Sequence, residues 1–171
     1  TLPRALFSVQ AQDYTNKELV VVDGGSIDGS VHKIRTIISE GDLLVSERDD
    51  GVFDALNKGI KLSSGEIIGI MHSDDFYFDD NVLSSVMDIF SDENVDIVYG
   101  DVCFFSTDNE NKIIRTYRSD RLSEANLTWG KMPAHPAMFI RRRVYEEIGY
   151  FKTDFRIAAD YDFLCRLVRN Y

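Results

Sequence analysis

Apolar residues recur along this chain in two alternating periods. Leu6 and Val9 continue a helix already under way at Thr1-Leu2-Pro3-Arg4-Ala5, and Asp13-Tyr14-Thr15-Asn16 ends it. Glu18-Leu19-Val20-Val21-Val22-Asp23 is a largely β-branched run that closes on an acid, followed by Gly24-Gly25-Ser26. That order predicts strand, tight turn and helix start, with Ser26 as N-cap and Asp28 in the first turn. Val31, Ile34, Ile37 and Ile38 keep helical spacing as far as Gly41. Leu43-Leu44-Val45 predicts a short strand, and Val52, Ala55, Leu56 and Ile60 a helix that stops at Ser63-Ser64-Gly65. Ile67-Ile68-Gly69-Ile70-Met71 predicts a buried strand of a parallel sheet, ended by His72-Ser73-Asp74-Asp75.

Val82, Leu83, Val86, Ile89 and Phe90 share one face of a further helix, and Asp96 to Phe105 reads as another strand. A polar turn at Asp108-Asn109-Glu110-Asn111 precedes Lys112 to Arg118, whose alternation predicts a hairpin back onto that strand. Helix followed by strand, repeated over residues 1–100, is the order that builds a doubly wound α/β sheet. Beyond it the pattern changes to antiparallel strand and irregular helix. The chain therefore reads as one domain with two halves, 1–100 and 101–171, without linker, low-complexity tract or repeat.

At 171 residues the chain is long enough for a single domain with its own core. A formal net charge of −10 argues against nucleic acid as a partner, because phosphate backbones need clustered Lys and Arg. The cluster Arg141-Arg142-Arg143 reads as a solvated helix start, the alternative being a contact for an anionic acceptor or lipid head group. Cys103 and Cys165 lie in apolar contexts and read as buried, reduced thiols of a cytosolic protein. No apolar run approaches the roughly 20 residues needed to span a bilayer. With no signal peptide, no initiator Met and both ends falling inside helices, the chain reads as a fragment.

Acids follow three successive strands: Asp23, Asp49-Asp50 and Asp74-Asp75. Open α/β sheets bind ligands beyond the carboxyl ends of their strands. Negative charge gathered there is costly unless a cation or hydrogen-bond donors compensate. Asp74 and Asp75 are accordingly candidate ligands of a hard divalent cation, the alternative being a cap for the next turn. Gly24 to Gly29 partly matches a dinucleotide-binding fingerprint, with Glu47 placed as the ribose acid. Ser26 occupies the middle glycine position, where a side chain obstructs close approach to a pyrophosphate. A carboxylate at Asp23 suits another task, accepting from the N–H of a nucleobase.

Five segments resemble family 2 glycosyltransferases of the GT-A fold, the group that makes bacterial polysaccharides, lipopolysaccharides and glycolipids. They are Ser8-Val9-Gln10-Ala11-Gln12, Val21 to Gly29, Asp54-Ala55-Leu56-Asn57-Lys58-Gly59-Ile60, His72-Ser73-Asp74-Asp75, and Ala159-Asp160-Tyr161-Asp162. The resemblance implies a mostly parallel Rossmann-like sheet with helices on both faces and a smaller antiparallel acceptor-side part. It implies that Asp23 and Ser26 meet the nucleotide-sugar, Asp23 at the base, and that Asn57 and Lys58 lie near the nucleotide or its phosphates. Ser73 and Asp74 belong by the ribose and the metal, Mn2+ or Mg2+, with Asp75 beside them. The family's metal motif is usually Asp-x-Asp; His72 stands at its first position, which shifts coordination onto Asp74. Leu56 stands where the family often has arginine, and Arg48 is a candidate substitute.

Breaking the anomeric C–O bond of a nucleotide-sugar leaves a diphosphate whose charge a divalent ion stabilises. The acceptor hydroxyl attacks from the opposite face and loses its proton to a general base, inverting the centre. By resemblance Asp160 is that base. Ala159 replaces the acid that usually precedes it, and Asp162 is the alternative; for both, the competing reading is a carboxylate at a helix N-terminus. His135 in Pro133-Ala134-His135-Pro136 falls at a family position near the acceptor or diphosphate, with a packed loop histidine as the competing reading. Trp129 and Phe155 read as core rather than as a sugar platform.

The implied partners are a nucleoside-diphosphate sugar, UDP-sugar first among them, and a glycan or lipid-linked acceptor. The implied setting is cytoplasmic, with room for peripheral contact at the inner face of the membrane. A nucleotide-sugar-binding module without catalysis and a nicotinamide oxidoreductase are the alternatives. The family's first strand, which lines the base pocket, would precede Thr1, so an unpaired sheet edge is expected in its place.

Overall fold

The computed structural model describes residues 1–106 and 112–171; the polar turn expected at 108–111 lies outside them. Helix α1 (Leu2–Gln10) leads into β1 (Val20–Asp23), which pairs in parallel with β2 (Leu43–Ser46) through Val20↔Leu43 to Asp23↔Ser46. Between them runs α2 (Ser30–Ile37). Its N-cap is Gly29 in the left-handed conformation (φ 88°), not the expected Ser26. Asp28 Oδ1 accepts from the Ser30 N–H at 3.0 Å and closes that end instead.

Helix α3 (Val52–Leu62) precedes β3 (Ile67–Gly69), and α4 (Val82–Phe90) precedes β4 (Ile97–Tyr99). The helix–strand alternation expected over 1–100 is thus present in full. β3 nevertheless has only an antiparallel partner among the described residues. β7 (Met138–Arg141), buried at every position, returns between β3 and β4 and pairs antiparallel with both, through Ile68↔Ile140 and Val98↔Phe139. The single strand expected from Asp96 to Phe105 is two strands. It breaks at Gly100, whose N–H donates to the Ala137 carbonyl at 3.0 Å. β5 (Val102–Phe105) then hairpins with β6 (Ile113–Tyr117) as a separate sheet, as the alternation over 112–118 predicts.

The main core lies where β7 meets α5 (Glu124–Thr128), α6 (Arg142–Ile148) and α7 (Ala159–Asn170), around Val144, Tyr145, Phe163, Leu164 and Leu167. Of the arginine cluster only Arg143 is solvated as its charge suggests; Arg141 is buried and Arg142 half-buried. Arg141 is 5% exposed, pairs with Glu66 and donates to the carbonyls of Val95 at 2.7 Å and Phe90 at 2.9 Å. Arg142 donates to the carbonyls of Gly65 at 2.9 Å and Ser63 at 2.7 Å, and Arg143 pairs with Asp96 at 2.7 Å. Guanidinium forks satisfy the chain ends that follow α3 and α4, and so fix them to β7. The two cysteines are half-buried rather than buried.

Among the described residues β1 bonds only to β2 and β3 only to β7, so the sheet is in two pieces. Between them runs an apolar slot of about 720 Å³ lined by Val20 and Val22 on one side, Ile67 and Gly69 on the other, reaching His72 and Ser73. The unpaired edge expected from the family's first strand is therefore an open slot bounded by two strands.

Candidate active site

Each sequence-marked acid sits beyond a strand or opens a helix, because those are the positions whose backbone N–H groups lack partners. Asp23 closes β1. Its Oδ2 accepts from Ser26 N–H at 2.9 Å, Gly25 N–H at 3.1 Å and Ser46 Oγ at 2.7 Å. Desolvation raises its pKa, but these hydrogen bonds outweigh it and hold the carboxyl below its ordinary value. Asp23 therefore shapes the glycine turn in which Ser26 stands. A Cβ on Gly24 would lie 2.6 Å from Asp49 Oδ2, so the Asp49 carboxylate, from the loop after β2, reaches over the glycine turn and would have to swing aside for a larger residue.

Lys58 on α3 is paired with Glu47 at 2.9 Å and Asp54 at 3.1 Å, and donates to the Arg48 carbonyl at 3.3 Å. It holds the loop after β2, where Arg48 itself is exposed. Asn57, one residue earlier, faces inward and is 8% exposed. Its Nδ2 donates to the Phe151 carbonyl at 2.8 Å and its Oδ1 accepts from the Phe151 N–H at 3.0 Å. Both ends of its carboxamide are thus bonded to backbone of the second half, so in this structure Asn57 is a clamp beneath the site.

β3 delivers His72-Ser73-Asp74-Asp75 as a turn closed by Asp75 N–H to the His72 carbonyl at 3.1 Å. Ser73 and Asp74 are exposed while Asp75 is half-buried. Desolvation, with Asp74 adding to it and His72 opposing, raises the Asp75 pKa above its ordinary value. Neither carboxylate has an ion-pair partner among the described residues. Those residues hold no group of three or more His, Cys, Asp or Glu able to bind a metal by themselves.

His135, in the 3-10 turn before β7, joins the two halves. Its ring centroid lies 5.6 Å from that of His72 and 5.6 Å from Phe151, which it meets edge-on. Desolvation lowers its pKa; the negative charge of Asp160 pulls the other way and His72 adds to the lowering. The acidic turn after β3 and the first turn of α7 are therefore both felt by one imidazole.

Asp160 is held in that first turn by several contacts. The Tyr161 hydroxyl donates to the Leu127 carbonyl at 2.7 Å, and Arg166 donates to the Gly149 and Tyr150 carbonyls at 3.0 and 2.7 Å. Ala158 precedes it with φ 69°, the one positive φ outside glycine among the described residues. Asp160 Oδ1 accepts from the Tyr161 N–H at 2.9 Å. Asp162 is already occupied, by Lys152 at 2.9 Å and Arg166 at 2.8 Å. Trp129, expected in the core, is 83% exposed, and Phe155 is exposed as well. Phe151, which touches both Asn57 and His135, went unmarked in the sequence; the glycine-aromatic-aromatic run Gly149-Tyr150-Phe151 after a helix is the signal that points to it.

Residues 1–149 match glycosyl transferase family 2, and the chain belongs to that family. It is 33% identical over 174 aligned positions to a PGL/p-HBAD biosynthesis glycosyltransferase of Mycobacterium bovis, covering 99% of this chain and 65% of that protein. It is 31% identical to an uncharacterized glycosyltransferase of Mycobacterium tuberculosis, covering 96% of this chain and 63% of the relative. The chain thus spans just under two thirds of these relatives. S. aureus TarS 1-349 in complex with UDP-GlcNAc superposes with a TM-score of 0.77 at 18% identity, over 99% of this chain and 50% of that one. The mannosyltransferase PcManGT from Pyrobaculum calidifontis, in complex with GDP-Man and Mn2+, gives 0.69 at 24% identity, over 95% and 46%. These likenesses establish the GT-A fold. No helix among the described residues is long and apolar enough to cross a membrane.

Proposed function

We propose that this chain carries the catalytic centre of an inverting, metal-dependent glycosyltransferase. It moves a sugar from a nucleoside-diphosphate sugar, UDP-sugar first among candidates, to a hydroxyl of a glycan or lipid-linked acceptor in cell-surface glycan synthesis. One observation carries the reading. His135 lies 5.6 Å between ring centroids from His72 of the acidic turn and also feels the charge of Asp160. That proximity supports a reading in which the leaving group and the proton acceptor share one site, as a single displacement requires. The complexes of related folds with UDP-GlcNAc and with GDP-Man and Mn2+ support the donor class and the metal.

In this reading Asp23 and Ser26 frame the base, with Lys58 ordering the neighbouring loop. Ser73 and Asp74 meet the ribose and diphosphate. Asp74 and Asp75 would hold Mn2+ or Mg2+: two adjacent carboxylates with no ion-pair partner among the described residues fit a hard divalent ion. When bound, that ion supplies electrophilic stabilisation of the departing diphosphate. Asp160 accepts the proton of the acceptor hydroxyl. Asp162, bonded to two cations, keeps α7 in place.

Transfer from UDP-sugars with Mn2+ by the full-length protein, abolished in Asp160→Asn with donor binding retained, tests the proposal. Ala159, standing where the family carries an acid, favours a second reading as a nucleotide-sugar-binding module. Saturable donor binding without turnover in the wild type would select it.

A further inference from the structure

Beneath the site lies a cavity of about 10 Å³ whose wall includes His135, Asp160 and Tyr145, with Ile70, Phe151 and Phe163 among the apolar remainder. Nε2 of His135 is buried and has no hydrogen-bond partner among the described residues. Buried polar atoms are rarely left unpaired, and a buried water is the usual partner when no side chain reaches them. The volume sits at the lower end of the roughly 10–15 Å³ that one water requires. Three of the lining residues, His135, Asp160 and Tyr145, carry polar groups that a purely apolar void lacks. Of the two Asp160 oxygens, Oδ1 already accepts from the Tyr161 N–H at 2.9 Å. Oδ2 is left for a further donor.

We infer that one buried water fills this cavity and links His135 Nε2–H to Asp160 Oδ2, which makes His135 a positioning residue for Asp160. The nitrogen donates to the water oxygen, and the water donates to the carboxylate. Burial keeps the imidazole neutral, so it carries a single N–H, and the link assigns that proton to Nε2. The carboxylate is then gripped at Oδ1 by backbone and at Oδ2 through the water, with its remaining lone pairs free to face the acceptor. As the acceptor oxygen bonds to the anomeric carbon, the C–O bond to diphosphate breaks, the diphosphate departs with the electron pair, and the hydroxyl proton passes to Asp160. The water is not consumed; it fixes the direction in which the base points.

The role of the water in catalysis depends on the transferase reading, whereas its presence does not. A crystal structure of the full-length protein at about 1.5 Å should show one ordered water about 2.7–3.2 Å from both His135 Nε2 and Asp160. Nitrogen NMR at neutral pH should show the Nε2–H tautomer. An empty cavity, or the Nδ1–H tautomer, overturns the inference whatever the activity. Among variants that keep the wild-type melting temperature, His135→Phe should lower kcat about tenfold or more with donor KM within about twofold, and His135→Gln should restore most of the rate. Equal losses in both variants, or a loss confined to KM, overturn the positioning role. A water in place in a wild-type protein that transfers no sugar upholds the link and instead defeats the functional reading.

Discussion

Asn57 and Phe151 close a two-bond ring across 94 residues of sequence, side-chain amide against main-chain amide, at 2.8 and 3.0 Å. The ring joins α3 of the first half to the segment leading into α7. Phe151 in turn packs edge-on against His135 and at 5.0 Å between centroids from Phe163. The two halves are thus held together by a hydrogen-bonded pair directly under the residues proposed to react.

Asn57→Ala should destabilise the full-length protein by about 2–5 kcal/mol, since it leaves the buried N–H and C=O of Phe151 both unpaired. Asn57→Asp should do much the same, because a carboxylate faces the Phe151 carbonyl without a proton to donate. Urea unfolding measures both. A loss under about 1 kcal/mol would mean the ring is incidental.

Asp74→Asn should remove most Mn2+-dependent UDP binding in titration calorimetry, at least about tenfold in affinity. Asp75→Asn should cost less, since Asp75 is half-buried whereas Asp74 is exposed to an incoming ion. Mn2+-dependent binding unchanged from wild type in Asp74→Asn would place the ion elsewhere.

Asp160→Asn should lower transfer by about 10²–10⁴-fold, and Asp162→Asn far less. Asp162→Asn should act on stability instead, with a pH signature. Burial raises the Asp162 pKa, but hydrogen bonds from Lys152 and Arg166 outweigh it and hold it below 3.8. A depressed folded-state pKa gives stability that is complete above 3.8 and lost as pH falls through the lower folded value. The melting-temperature gap between wild type and Asp162→Asn should therefore be widest near neutrality and shrink in strong acid.

Arg141→Ala should cost about 2–5 kcal/mol by chemical denaturation, because it leaves the carbonyls of Val95 and Phe90 without their donor. Arg141→Met should recover part of the packing without the carbonyl bonds.

Residues 1–171 expressed alone should exchange the slot-facing amides of β1 and β3 rapidly, with those paired to β2 and β7 protected. The same polypeptide should show little or no turnover, because the slot reaches His72 and Ser73. Uniform protection across β1 and β3 would refute the open-slot description.

Much of the first half was legible because each of its elements is short-range. Val31, Ile34 and Ile37 mark α2, and Val20-Val21-Val22 marks β1, from spacing within a single element. What escaped depends on partners distant in sequence. Nothing in Ile67-Ile68-Gly69 says that its neighbour will be Met138–Arg141 running the other way. The arginines at 141–143 look like surface charge until the carbonyls of Gly65, Phe90 and Val95 converge on them. Asn57 was expected near the nucleotide or its phosphates, whereas its carboxamide is bonded to Phe151, which no local pattern connects to it. At the site, the acids were visible as strand-end and helix-start carboxylates. The burial of His135 and the exposure of Trp129 were not, since both follow from how the halves meet.

The central place of β7 also fixes an order of assembly. Val20 finds Leu43 after one short crossover, whereas Ile68 and Val98 must wait for Ile140 and Phe139. Loop-closure entropy makes the late pairings slow, so the two-stranded piece should nucleate first and the three-stranded piece zip up last. During synthesis the acidic turn after β3 would emerge long before the strand that steadies it. The chemistry proposed for this chain therefore becomes available only when its final third has folded.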